Sequence, residues 1–227
     1  MNNIQNLSKK TAFLFYNLAW KIAIPLLRHN HRLADGFRER TLLIKLKPAD
    51  IWIQAASAGE AYITLTLLNA LKFDKPVRIL LTANTRQGID ILKKGASELQ
   101  QSKIKICTAF FPFDKPDLMK SAVKQVSPKI MILMETEMWP AHLFALKKHG
   151  TKILIINGRL TEKSLKQYLI LPSIWQRLKP DRICAVSSAD ASRFISLFGP
   201  DSAEIMPNIK FDKITNTCDL SDKKKTD

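Results

Sequence analysis

A chain of 227 residues with 46% hydrophobic and 25% charged side chains has the length and composition of a globular protein with a full core. Its 36 Lys and Arg against 20 Asp and Glu give a formal net charge of +16, which favours anionic partners: phosphorylated substrates, acidic headgroups or nucleic acid. Three cysteines without a C-x-x-C pair exclude a disulfide framework, and neither they nor the four histidines show metal-ligand spacing, so no metal is expected.

Residues 2–10 are polar, and residues 11–27 are strongly apolar but short for a bilayer span, with Asn17, Lys21 and Pro25 among them. Tyr16 and Trp20 suit a lipid interface, and Arg28, His29, His31, Arg32, Arg38 and Arg40 follow. No small-residue cleavage site comes next, so no removable signal peptide is expected. Residues 1–45 therefore read as a membrane-associated helix and a basic connector, the helix spanning marginally or lying in the interface. The positive-inside rule puts the bulk of the protein on the cytoplasmic side. The alternative is a helix packed against the domain.

From Asp50 onward, apolar runs alternate with helical patterns. Strands are predicted at 51–56, 77–81, 104–108, 129–134, 152–157 and 182–186. Helices are predicted at 61–71, 89–94, 118–126 and 140–148, in two stretches around Pro172, and at 188–197. This alternation predicts βαβ units, and hence a Rossmann-like, doubly wound parallel sheet over residues 46–212. Cys107 and Cys184 fall inside apolar runs and read as buried. The tail, residues 213–227, is polar and reads as disordered.

Ligands of open α/β sheets bind at the carboxyl ends of the strands, where polar residues gather here. After the first strand come Ser57-Ala58-Gly59-Glu60. Small residues such as Ser57 and Gly59 let backbone N–H groups and a helix N-terminus approach a ligand, a geometry that favours anions. Glu60 is then a carboxylate at the mouth of the site. The same spacing fits a capping box between Ser57 and Glu60. After the fourth strand, Met134-Glu135-Thr136-Glu137-Met138-Trp139-Pro140 sets Glu135 and Glu137 ahead of a helix starting at Pro140. The alternative is that one of the pair caps that helix. Neither glycine-rich nucleotide-binding fingerprint is present.

Ser57-Ala58-Gly59-Glu60, Phe111-Pro112-Phe113-Asp114, Glu135-Thr136-Glu137-Met138-Trp139-Pro140, Asn157-Gly158-Arg159-Leu160 and Asn208-Ile209-Lys210-Phe211-Asp212 occur in this order. With them the chain resembles the 3-deoxy-D-manno-octulosonic acid (Kdo) transferase family of lipopolysaccharide synthesis over nearly its whole length. The resemblance implies a GT-B glycosyltransferase at the cytoplasmic face of the inner membrane. Its N-terminal half would hold a lipid A precursor, the acceptor, and its C-terminal half CMP-Kdo, the donor. Gln54 stands where the family often has His, and Ala141 where it usually has Asn. The donor half is not among these residues, so a separate donor-half chain is an expected partner and the chain alone is expected to be inactive.

By that resemblance Glu60 is the general base, since a sugar hydroxyl needs a positioned carboxylate to take its proton. Glu135 and Glu137 are the next candidates, for positioning the acceptor, with Ser57 and Gly59, or for shaping the charge of the site. Arg159 and Lys210 meet its phosphates, because Arg matches phosphate geometry bidentately; a surface salt bridge is the alternative for each. No cofactor is implied. A second reading is a catalytically inactive, membrane-bound binder of lipid A or acidic phospholipid. A basic nucleic-acid binder is allowed by charge but has no base-reading motif, so nucleic acid is not an expected partner.

Overall fold

All six predicted strands form, and short turns feed them into helices on alternate faces of one sheet. The structure, a computed structural model, describes residues 2–99 and 103–209, with side chains from Leu14 onward. In chain order the elements begin α1 (Asn2–Leu27), α2 (His31–Ala34), α3 (Phe37–Arg40), β1 (Ile51–Ala55), α4 (Ala58–Ala70), β2 (Val77–Ala83) and α5 (Arg86–Leu99). They continue with β3 (Ile104–Phe110), α6 (Pro116–Val126), β4 (Ile130–Met134), α7 (Pro140–His149) and β5 (Lys152–Gly158). The last are α8 (Glu162–Tyr168), α9 (Pro172–Arg177), β6 (Arg182–Ala185), α10 (Ser188–Phe198) and β7 (Glu204–Ile205).

The strands run parallel in the order β3-β2-β1-β4-β5-β6-β7. Chain order reverses between β1 and β4, so the ligand crevice of this doubly wound sheet opens at their carboxyl ends. Alternate side chains explain the two layers. Met131 and Leu133 of β4 join Trp52 and Leu80 in a core covered by α6, α7 and α10. Ile132 and Met134 join Ile53, Ile79 and Leu81 in a second core under α4 and α5. Strands buried on both faces are the continuous apolar runs seen in the sequence.

Several boundaries differ from the sequence reading. Ser57 accepts from the Glu60 N–H and caps α4, so residues 58–60 form a helical turn rather than a loop. β2 and β3 extend to the pair Ala83↔Phe110, two residues further than predicted, because the parallel ladder continues there. β7 was not predicted; two exposed residues carry no periodic signal. Cys107 and Cys184 are only half buried, since β3 is an edge strand and β6 is covered by little more than β7.

α1 packs one face on the domain: Trp20 lies 5.7 Å from Phe113, and Asn17 donates to Asp117 at 3.2 Å. Among the described residues no helix is long and apolar enough to cross a membrane. Arg40, from the basic stretch after α1, is buried against the sheet. Lys210, Phe211, Asp212 and residues 213–227 lie outside the described residues.

Candidate functional site

Glu60 stands third in α4, directly above the end of β1, and is buried. Its Oε2 accepts the Ala56 N–H at 2.7 Å and its Oε1 accepts the Ser57 hydroxyl at 2.9 Å. The capping box therefore forms in modified shape, the carboxylate reaching Ala56 rather than the N–H of the cap residue itself. Burial pushes the Glu60 carboxyl up to about 7. The Ala56 N–H and Ser57 hydroxyl pull against that rise, while the charges of Glu137 and Glu135 add to it. A carboxylate of this kind is tuned for proton transfer near neutrality.

The second carboxylate cluster comes from the end of β4. Glu135 adopts a left-handed backbone, φ 56°, as its N–H reaches across to the Ile156 carbonyl at 3.0 Å. Asn157 at the end of β5 is left-handed too, φ 57°. Non-glycine residues in this region carry strain that surrounding structure must hold, a feature concentrated at functional sites. Asn157 is fully buried; its Oδ1 accepts the Ile209 N–H at 3.2 Å, while its Nδ2 has no partner. Arg159 lies beside this pair, its Nε 3.8 Å from Glu135 Oε1 and without a hydrogen bond. At that distance and partial exposure the ion pair is weak and leaves the guanidinium available to a ligand.

Glu137 is held differently. Its Oε2 accepts both Asn84 Nδ2 at 3.1 Å and Trp139 Nε1 at 2.8 Å. Burial raises its pKa against these two donors, and the Glu135 charge raises it further. Neither Glu135 nor Glu137 caps α7. Trp139 is the cap residue but makes no capping bond with its side chain, and the Ala141 and His142 N–H groups go to Asp114 at 3.0 and 2.7 Å.

Of the residues singled out in the sequence, Ser57, Glu60, Glu135, Glu137 and Arg159 gather on one edge. Gly59 shares the α4 turn, and a Cβ there would meet only Ser57 Oγ at 3.8 Å, so the described neighbours do not require glycine. Lys210 lies outside the described residues. Sequence reading quoted Gln54 and Asp114 without giving them a site role, and missed Asn84. Asn84 follows β2 as Glu135 follows β4, so the strand-end rule applied to Ala83-Asn84-Thr85 would have found it. Among the described residues no group of three or more His, Cys, Asp or Glu is arranged to hold a metal ion.

A Rossmann-like sheet with three carboxylates and an arginine at its switch point defines an α/β protein with a polar, charged strand-end edge. The family follows from comparison. A family model described as 3-deoxy-D-manno-octulosonic-acid transferase (kdotransferase) matches residues 35–213, and the chain belongs to that family. It is 30% identical over 184 residues to a 3-deoxy-D-manno-octulosonic acid transferase of Rickettsia typhi, covering 80% of this chain and 38% of that protein. The Haemophilus influenzae transferase of the same name is 28% identical over 195 residues, 83% of this chain and 44% of that one. A bifunctional glycosyltransferase/methyltransferase of Fusobacterium nucleatum is 27% identical over 212 residues, 86% of this chain and 31% of that protein. The chain thus spans between about a third and under half the length of these relatives.

Proposed function

We propose that this chain is the acceptor-binding half of a GT-B Kdo transferase in lipopolysaccharide synthesis, acting at the cytoplasmic face of the inner membrane. The acceptor is a lipid A precursor, and CMP-Kdo is bound by a donor half outside residues 1–227. Glu60 takes the proton of the acceptor hydroxyl as its oxygen attacks the anomeric carbon of Kdo. The bond from that carbon to the CMP phosphate oxygen breaks, and CMP leaves with the electron pair. Arg159 and Lys210 meet acceptor phosphates, while Ser57, Gly59, Glu135 and Glu137 line the acceptor's place. The observation that carries this reading is Glu60 itself: a buried carboxylate, fixed by two donors and pushed to about 7, at the switch point of a family member's sheet.

A general base contributes about 10²–10⁴-fold. Glu60→Gln keeps the bond to Ala56 through its oxygen and can donate its amide to Ser57, so the fold should survive. In the protein assembled with its donor half, Glu60→Gln should lose at least about 100-fold in kcat with KM for acceptor nearly unchanged. The base works ionised, so the wild-type rate should rise with pH through about 7. Normal turnover by Glu60→Gln would overturn the assignment. The donor split is tested separately: calorimetry should find no CMP-Kdo binding to residues 1–227 alone.

A second reading is favoured by the apolar outer face of α1 and the +16 charge: a catalytically inactive, membrane-bound binder of lipid A or acidic phospholipid. It requires that the chain bind acceptor while the assembled protein shows no turnover at all.

A further inference from the structure

A one-way chain of hydrogen bonds crosses the carboxyl edge of the sheet and ends on Glu137. Trp52 Nε1 donates to Thr82 Oγ1 at 2.8 Å, and Thr82 Oγ1 donates to Gln54 Oε1 at 2.5 Å. Gln54 Nε2 donates to Asn84 Oδ1 at 3.1 Å, and Asn84 Nδ2 donates to Glu137 Oε2 at 3.1 Å. From the far side Trp139 Nε1 donates to the same oxygen at 2.8 Å.

Both ends of the chain are indole N–H groups, which can only donate. Thr82 accepts from Trp52, and its own proton goes to Gln54 Oε1 at 2.5 Å in preference to the longer contact with the Ile53 carbonyl at 3.3 Å. Gln54 must then present its amide N–H₂ to Asn84, and Asn84 its N–H₂ to Glu137. Glu137 Oε2 accepts two N–H bonds, which are stronger to a carboxylate than to a neutral acid, so together they favour the anion. The Asn84 backbone carbonyl accepts from Arg40 Nη2 at 2.6 Å, and its backbone N–H donates to the Ala56 carbonyl at 3.2 Å. The relay is therefore anchored to the β1 end that carries Glu60.

Three carboxylates share this edge, and Glu60 and Glu137 do not need the same protonation state to work. We propose that Gln54 and Asn84 are positioning residues that set the proton order of the pair: they keep Glu137 as the anion, so the acceptor's proton goes to Glu60. The inference rests on Glu60 being the base and adds which groups make it one. Like charges at close quarters cannot both ionise easily, so a fixed negative charge on Glu137 raises the basicity of Glu60. The other groups around Glu137 are Glu135 with Arg159 beside it, the Tyr168 phenol of α8, and the Arg40 guanidinium behind Asn84.

The test follows side-chain carboxyl carbons of ¹³C-labelled glutamate by NMR through a pH titration of the chain. A hydrogen bond to a charged group contributes about 1.5–3 kcal/mol, or roughly one to two pH units. Asn84→Ala should raise the Glu137 midpoint by about one pH unit and lower that of Glu60. Gln54→Leu should move both midpoints in the same two directions by less, because it breaks the relay one link back. Gln54→His should restore wild-type midpoints, since imidazole can accept from Thr82 at one nitrogen and donate to Asn84 from the other. A purely structural role predicts otherwise: a loosened, wetter edge would lower both midpoints together. That result, or unmoved midpoints in Asn84→Ala, overturns the proposal. The titration needs no turnover, so it is judged apart from the transfer reaction, whose own failure is read from Glu60→Gln.

Discussion

The Tyr16 phenol donates a 2.9 Å hydrogen bond to Asp114 Oδ2, and so joins helix α1 to the loop behind the candidate site. The same carboxylate takes the Ala141 and His142 N–H groups at the start of α7. Asp114 thus caps, from a distant loop, a helix whose own cap residue is Trp139. All three partners are donors and none is a cation. Burial pushes Asp114 up to about 7 against their pull, and burial with the Asp114 charge pushes the Tyr16 phenol up as well.

Asp114→Asn should expose this arrangement. The amide offers one acceptor oxygen in place of two, leaving an N–H or the phenol unpaired at a cost of about 1–3 kcal/mol. The pH dependence gives a second readout. With a folded pKa near 7 and an ordinary value of 3.8 unfolded, the folded state binds more protons between those values. The contribution of Asp114 to stability is then full below about 4 and is lost as pH rises to about 7. Thermal melts should show a lower Tm for the variant and a shallower fall from pH 4 to 7. Glu60 and Glu137, raised in the same sense, add to that fall, and His142, pulled down to about 3, opposes it, so the difference between variant and wild type is what reports Asp114. An unchanged slope would count against a buried, proton-binding Asp114.

Arg40 offers a larger effect. Its guanidinium donates to the carbonyls of Asp35 at 3.0 Å and Asn84 at 2.6 Å, with a long contact to Phe111 at 3.5 Å, and lies 4.7 Å over the Phe110 ring. Burial pulls it down to about 10, still charged at neutral pH. Arg40→Met keeps the packing but strands these carbonyls, and should cost about 2–4 kcal/mol in a urea melt. Arg40→Lys restores the charge without the fork and should recover less than half of that loss. Full recovery by Lys would show that charge, not carbonyl geometry, matters there.

How much of this was visible in the residues varies by physical cause. Strands buried on both faces leave long apolar runs, so β1 to β6 could be read directly, whereas their order in the sheet could not. The helix α5 was read short because Gly88 and Gly95 interrupt its pattern, yet both are buried in the helix against α4 and the sheet. Glu60, Glu135 and Glu137 follow from strand-end chemistry. Their environments do not: whether Glu137 caps α7 or bonds Asn84 depends on residues more than fifty positions away. His142 illustrates the same limit. Between Trp52 and Phe111, at 5.1 and 5.0 Å, it is fully buried with both ring nitrogens unpartnered, and burial pulls it down to about 3. A buried, neutral imidazole is invisible to a search for ligand spacing.

Two glycines separate backbone freedom from packing. Gly36 and Gly150 both adopt left-handed backbones, φ 68° and 83°. A Cβ on Gly150 would meet nothing within 4 Å, whereas one on Gly36 would fall 1.9 Å from Phe110 Cδ2. Gly150→Ala should therefore cost only the conformational penalty of about 1 kcal/mol. Gly36→Ala should add an overpacking cost of about 1–3 kcal/mol, because the Phe110 ring is pinned under Arg40. Equal Tm losses would mean the Phe110 ring yields freely.

Membrane association turns on the outer face of α1. Leu14, Leu18, Ile22 and Leu26 recur every fourth residue, with Phe15 beside them, and each is at least half exposed. The opposite face, through Tyr16 and Trp20, is engaged with Asp114 and Phe113. Deleting residues 1–30 would therefore disturb the fold along with any lipid contact, and point variants are the cleaner probe. Leu18→Glu with Ile22→Glu changes only outward side chains, so stability should shift by no more than about 0.5 kcal/mol per site. Burying an exposed Leu or Ile is worth about 1.5–3 kcal/mol, and tenfold in affinity is about 1.4 kcal/mol. The double variant should thus bind phosphatidylglycerol-containing vesicles at least about tenfold more weakly in a sedimentation assay. Raising salt should weaken the wild type only in part, since screening acts on the basic residues and leaves the apolar contact. If wild type and double variant sediment alike, α1 does not lie in the interface, and its exposed stripe has another partner.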